Sequence, residues 1–102
     1  MFVKVARLSD IAEGGAICVE ADGNQIALFK VNGECYALDN SCPHRGGPLS
    51  AGYFDPVRRT VQCPWHGWMF NCQTGVSPIN SLHRVQKFPV KIEGDEIYVD
   101  VD

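Results

Sequence analysis

A chain of 102 residues, 45% of them apolar, supports one modest core, and the reading is a single domain over 1–102. Its net charge of −3, from 9 basic and 12 acidic residues, excludes a general nucleic-acid binder, which would need a basic excess. The opening MFVKVARLSD lacks the apolar stretch of a secretion signal, and no apolar run approaches a membrane span, so a reducing, cytoplasmic setting is expected. In such a setting five cysteines without regular framework spacing read as metal ligands or free thiols.

In chain order the pattern is mostly strands. Residues 2–6 alternate and predict an opening strand. Residues 8–15 predict a turn or one short helical turn, stopped by Gly14 and Gly15. A strand over 16–21 and a turn over 22–24 follow. Strands over 25–31 and 34–38 flank Asn32-Gly33, a dipeptide that favours the two-residue hairpin turn. Residues 50–59 predict a loop with a short strand, 60–63 a strand, and 68–71 another. Thr74-Gly75 turns the chain, and strands close it over 87–93 and 96–101. In the last of these Ile97, Val99 and Val101 share one face. No segment has a useful helical period. The expectation is an all-β, antiparallel domain.

Two short knots fall on loops between strands: SCPHRGGP over 41–48 and QCPWHGW over 62–68. The pattern is Cys42-x-His44, eighteen residues, then Cys63-x-x-His66. Each knot offers one thiolate and one imidazole. Glycines follow each histidine and let the backbone turn sharply. Pro43 and Pro64 stiffen the chain beside each cysteine. Other readings of these residues are core cysteines beside unrelated histidines, and a zinc site of two Cys and two His. The usual zinc finger groups Cys with Cys and His with His, whereas here each loop carries a mixed pair.

This mixed pair resembles the Rieske [2Fe–2S] family, in which two His replace two Cys on one iron. The resemblance implies that Cys42 and Cys63 hold the buried iron and His44 and His66 the outer one. It also covers Gly46-Gly47 and Leu49 after the first knot, His66-Gly67-Trp68 and Phe70 in the second, the Thr74-Gly75 turn, and the ending FPVKIEGDEIYV over 88–99. The fold it implies is a Rieske-type antiparallel β-sandwich with a cluster-binding subdomain built from the two loops. Pro78 is placed by it in a third loop covering the cluster. High-potential members carry a disulfide between the loops, where this chain has Gly47 and Trp65, and a serine where it has Trp68. The resemblance is therefore to the lower-potential, ferredoxin-type branch, with a potential of roughly −150 mV expected.

Other residues are expected to do less. Cys18 and Cys35 lie on expected strands and read as buried structural thiols. Cys72 reads as a free thiol near the knots, and His83 as a surface histidine. Leu49, Trp68 and Phe70 read as core and cluster shielding. Arg45 is a candidate contact for an acidic partner.

The resemblance implies a one-electron carrier between an NAD(P)H-dependent flavoprotein reductase and a terminal oxygenase. Only 3 histidines are present, and two are already assigned, which leaves too few for a separate two-His, one-carboxylate iron site, so the chain is not expected to be an enzyme by itself. Two other classes stand beside this one. One is a small Rieske-like subunit of a larger enzyme such as NAD(P)H nitrite reductase. The other is a zinc-stabilised binding module.

Overall fold

The computed structural model describes residues 1–43, 46–65 and 67–101; His44, Arg45, His66 and Asp102 lie outside the described residues. Among the described residues ten strands form three antiparallel sheets. Strands β1 (Phe2–Arg7), β9 (Val90–Glu93) and β10 (Glu96–Asp100) form one, in the order β1-β10-β9. Strands β2 (Ala16–Ala21), β3 (Asn24–Val31), β4 (Glu34–Asp39) and β8 (Lys87–Phe88) form the second, in that order. Strands β5 (Tyr53–Asp55), β6 (Thr60–Gln62) and β7 (Met69–Asn71) form the third.

The second sheet is the middle layer. One face of it carries Ile26, Leu28 and Ala37, which pack against Ile97 and Val99 of the first sheet. The other face carries Ala27, Phe29 and Leu38, which pack against Val61 and Phe70 of the third. Burial on both faces explains why β3 reads as a nearly continuous apolar run, whereas one-faced β10 alternates. Phe29 and Phe70 are fully enclosed, each stabilising the fold by about 3 kcal/mol at most.

Two hairpins join the middle sheet. Asp22-Gly23 has φ of 50° and 80°, and Asn32-Gly33 has φ of 51° and 78°. Successive positive φ values define the turn whose twist matches the flanking strands. The paired residues Ala21↔Asn24 and Val31↔Glu34 close them. The short helical turn expected after β1 is a 3₁₀ turn at Leu8–Asp10.

The stretch 87–93, expected as one strand, divides at Pro89. Lys87–Phe88 pairs with β4 in the middle sheet, and Val90–Glu93 pairs with β10 in the first. Proline lacks the N–H that a continuous ladder needs, so the chain changes sheets there.

Candidate metal centre

The first knot leaves the middle sheet and the second lies within the third. The first runs from the end of β4 to the 3₁₀ turn Leu49–Ala51. The second joins β6 to β7. Both close with the same pair of hydrogen bonds. The Cys42 N–H donates to the Gly47 carbonyl at 2.9 Å, and the Gly46 N–H donates to the Cys42 carbonyl at 2.7 Å. The Cys63 N–H donates to the Trp68 carbonyl at 2.7 Å, and the Gly67 N–H donates to the Cys63 carbonyl at 3.1 Å. In each ring the cysteine donates to the fifth residue ahead and accepts from the fourth. Gly46 and Gly67 sit at equivalent points with φ of 76° and 74°, which only glycine adopts readily.

The knots also touch each other. A Cβ at Gly47 would lie 2.7 Å from the Cys63 Sγ and 3.1 Å from the Trp65 ring. Gly47 is therefore glycine because the second knot occupies the space of its side chain. Gly47 and Trp65, where the resemblance would set an inter-loop disulfide in high-potential members, face one another here.

Cys42 is 2% exposed and Cys63 3%, both within the core shared by Phe29, Leu49, Val61 and Phe70. Each knot thus brings one thiol to one apolar pocket, the donor set that a centre taking one thiolate from each loop requires. His44 and His66 lie outside the described residues. Among the described residues no three metal-binding side chains gather, because half of the expected ligand set is not among them.

The expected shielding residues divide by depth. Leu49 and Phe70 are fully buried, and Trp68 is half-buried. The Trp68 ring stacks on His83, with centroids 3.7 Å apart and planes 1° from parallel. His83 is thus no bare surface histidine: it is half-buried and anchors the loop after β7 to the second knot. The fifteen-residue separation carries no local signal for this contact. Pro78, on that loop, lines a groove with Tyr53, Gln62 and Met69 on the outer face of the third sheet.

The remaining cysteines separate clearly. All five are free. Cys35 and Cys72 are buried, and burial pushes each thiol from the ordinary 9.0 up to about 12. Neither is a nucleophile at neutral pH. Cys18 contradicts the expectation of a buried thiol: it is exposed, its Sγ 3.4 Å from the Gln25 Oε1. Ile17, Val19 and Ala21 take the core face of edge strand β2, so Cys18 and Glu20 take the other.

Paired loops of this kind, meeting at one buried apolar pocket, suit a metal centre that draws matching ligands from each loop. The chain belongs to the Rieske [2Fe-2S] domain family, which it matches over residues 1–89. It is 35% identical over 103 residues to the ferredoxin component of the naphthalene 1,2-dioxygenase system of Pseudomonas putida, with 98% of this chain and 95% of that protein covered. It is 41% identical over 96 residues to human apoptosis-inducing factor 3, covering 93% of this chain but 16% of that longer protein. A chain in the solved complex of reduced oxygenase and oxidized ferredoxin of carbazole 1,9a-dioxygenase superposes with a TM-score of 0.85 at 30% identity, over 96% of this chain and 91% of that one. No helix among the described residues is long and apolar enough to cross a membrane.

Proposed function

We propose that this protein is a one-electron carrier, the ferredoxin component of an oxygenase system, and not itself an enzyme. The observation that carries the reading is the pair of matching hydrogen-bonded rings, each placing a buried cysteine in one core. In our reading Cys42 and Cys63 bind one iron of a single [2Fe–2S] cluster, and His44 and His66 bind the other. When bound, such a centre takes up and releases one electron. The chain's own residues do the rest. The rings hold both thiols in place before and after electron uptake, which limits reorganisation. Leu49 and Phe70 exclude water from the thiol side. Trp68, backed by His83, covers the second knot.

The partners proposed are a flavin-containing reductase and a terminal oxygenase, bound transiently. Near-complete coverage of a dioxygenase-system ferredoxin supports this pairing over a fixed subunit of a larger enzyme. Likeness to a chain from an oxygenase–ferredoxin complex supports the oxygenase as acceptor. The pairing of Phe2 with Asp100 joins the chain's two ends and supports one domain over 1–102. Five cysteines with no disulfide among them fit a reducing, cytoplasmic setting.

An anaerobic reductive titration tests the carrier reading. The protein should take up one electron per chain, at a potential of roughly −150 mV. Uptake of two electrons, or a midpoint well above zero, would contradict it.

A further inference from the structure

The charge of this chain is divided between its two halves. Residues 40–86, which build both knots and the third sheet, carry Arg45, Arg58, Arg59 and Arg84 against Asp55 alone, a net +3. The rest of the chain carries −6, giving the total of −3. Exposed apolar side chains divide the same way. Among the described residues, five of the seven large exposed hydrophobics fall in this positive half. They include Trp65 on the second knot, Tyr53 on β5, and Ile79 and Leu82 on the loop that His83 anchors. Tyr53 also lines, with Met69, Pro78 and Arg58, the groove on the outer face of the third sheet.

Exposed apolar side chains beside an excess of positive charge, with Asp55 the one acid in this half and itself lining the groove, are the composition of a docking surface. We propose that the knot-bearing half docks an acidic protein surface, so that the partner's polarity opposes that of the electron exit and not that of the whole chain. This rests on the carrier reading and adds the partner's chemistry to it. The acidic remainder is no competitor for such a partner. At an ionic strength of about 0.1 M the screening length is roughly 10 Å. The knot-bearing layer and the first sheet pack on opposite faces of the middle sheet, so a partner on one side senses mainly that side. At longer range the two halves form a dipole that turns the knots toward an acidic surface. One added electron lowers the local charge by one unit and leaves its sign unchanged.

Arg58 and Arg84 are the two arginines to test. The Arg58 side chain is 82% exposed, with a loose 4.0 Å approach to Asp55. The exposed Arg84 donates only to the Ser81 carbonyl among its described hydrogen bonds. Arg59 is left in place, because its Nε donates to the Tyr36 hydroxyl and it supports the fold.

The test is stopped-flow oxidation of the reduced holoprotein by ferricyanide, an anion, and by tris(phenanthroline)cobalt(III), a cation. Between about 0.1 and 1 M salt the screening length falls from roughly 10 to about 3 Å. The ferricyanide rate should fall about threefold over that range and the cobalt rate should rise, against the sign set by the net charge. The double variant Arg58→Glu, Arg84→Glu should reverse both slopes while its reduced spectrum stays unchanged. A ferricyanide rate that rises with salt in the parent protein overturns the proposal and leaves the carrier reading standing. A protein that takes up no electron overturns both.

Discussion

Gly47 is where one added carbon meets the centre most directly. Its backbone is ordinary, but a Cβ there would lie 2.7 Å from the Cys63 Sγ. Gly47→Ala should therefore reduce bound iron to well under half while the sheets keep their circular-dichroism signature. Full iron in that variant would remove the close-contact argument. Gly33→Ala is the contrast. Its φ of 78° is strained for alanine, but nothing lies within 4 Å of the added carbon. It should cost about 1 kcal/mol in a denaturation midpoint and leave the iron content intact. The cysteines give a second test at this scale. Cys18 should alkylate within minutes in the native protein at pH 8, and Cys35 and Cys72 only after unfolding. Labelling of Cys72 at the same rate as Cys18 would refute its burial. Cys42 and Cys63 stand out by spacing, as a repeated Cys-Pro with nearby His and Gly, and the structure buries both in one core. Cys18 was misread although Glu20, two residues on, shares its face and marks it as solvent-facing.

Among the elements, the Asn32-Gly33 hairpin was readable because positive φ is a local property, whereas the turn expected over 22–24 is tighter, with Asn24 already in β3. The change of sheet at Pro89 was not readable. Val90–Glu93 pairs with β10, which follows it directly, but Lys87–Phe88 joins β4, distant in sequence. The stack of Trp68 on His83 is similarly non-local, and it fastens the loop after β7. Such a ring pair is worth about 0.5–1.5 kcal/mol. His83→Ala should shift tryptophan emission to longer wavelength and speed amide exchange across residues 77–84, with strands β2 to β4 unaffected. Unchanged emission and exchange would show that the loop stays in place without the stack.

For the whole molecule, the all-β class and both knots followed from pattern and turn chemistry. The layering did not: that the middle sheet serves two cores was hinted at only by the unbroken apolar run of β3. One consequence of those two cores is alkaline instability. Cys35 lies in one core and Cys72 in the other, each held protonated up to about 12 where an unburied thiol ionises near 9.0. Between those values the unfolded chain binds fewer protons than the native one, so stability falls as pH rises. Each thiol contributes a slope of about 1.4 kcal/mol per pH unit. Cys72→Ala should lower the combined slope by about half in urea midpoints taken from pH 9 to 11. An unchanged slope would place Cys72 outside the core.

What the two knots hold decides whether this chain carries an electron. The most direct measurement is iron and acid-labile sulfide on protein purified without air, with electron paramagnetic resonance before and after dithionite. Two irons and two sulfides per chain are expected, with a Rieske-type signal only after reduction. Zinc in their place, with no labile sulfide, would contradict the central claim and make the matched rings around Cys42 and Cys63 structural clamps.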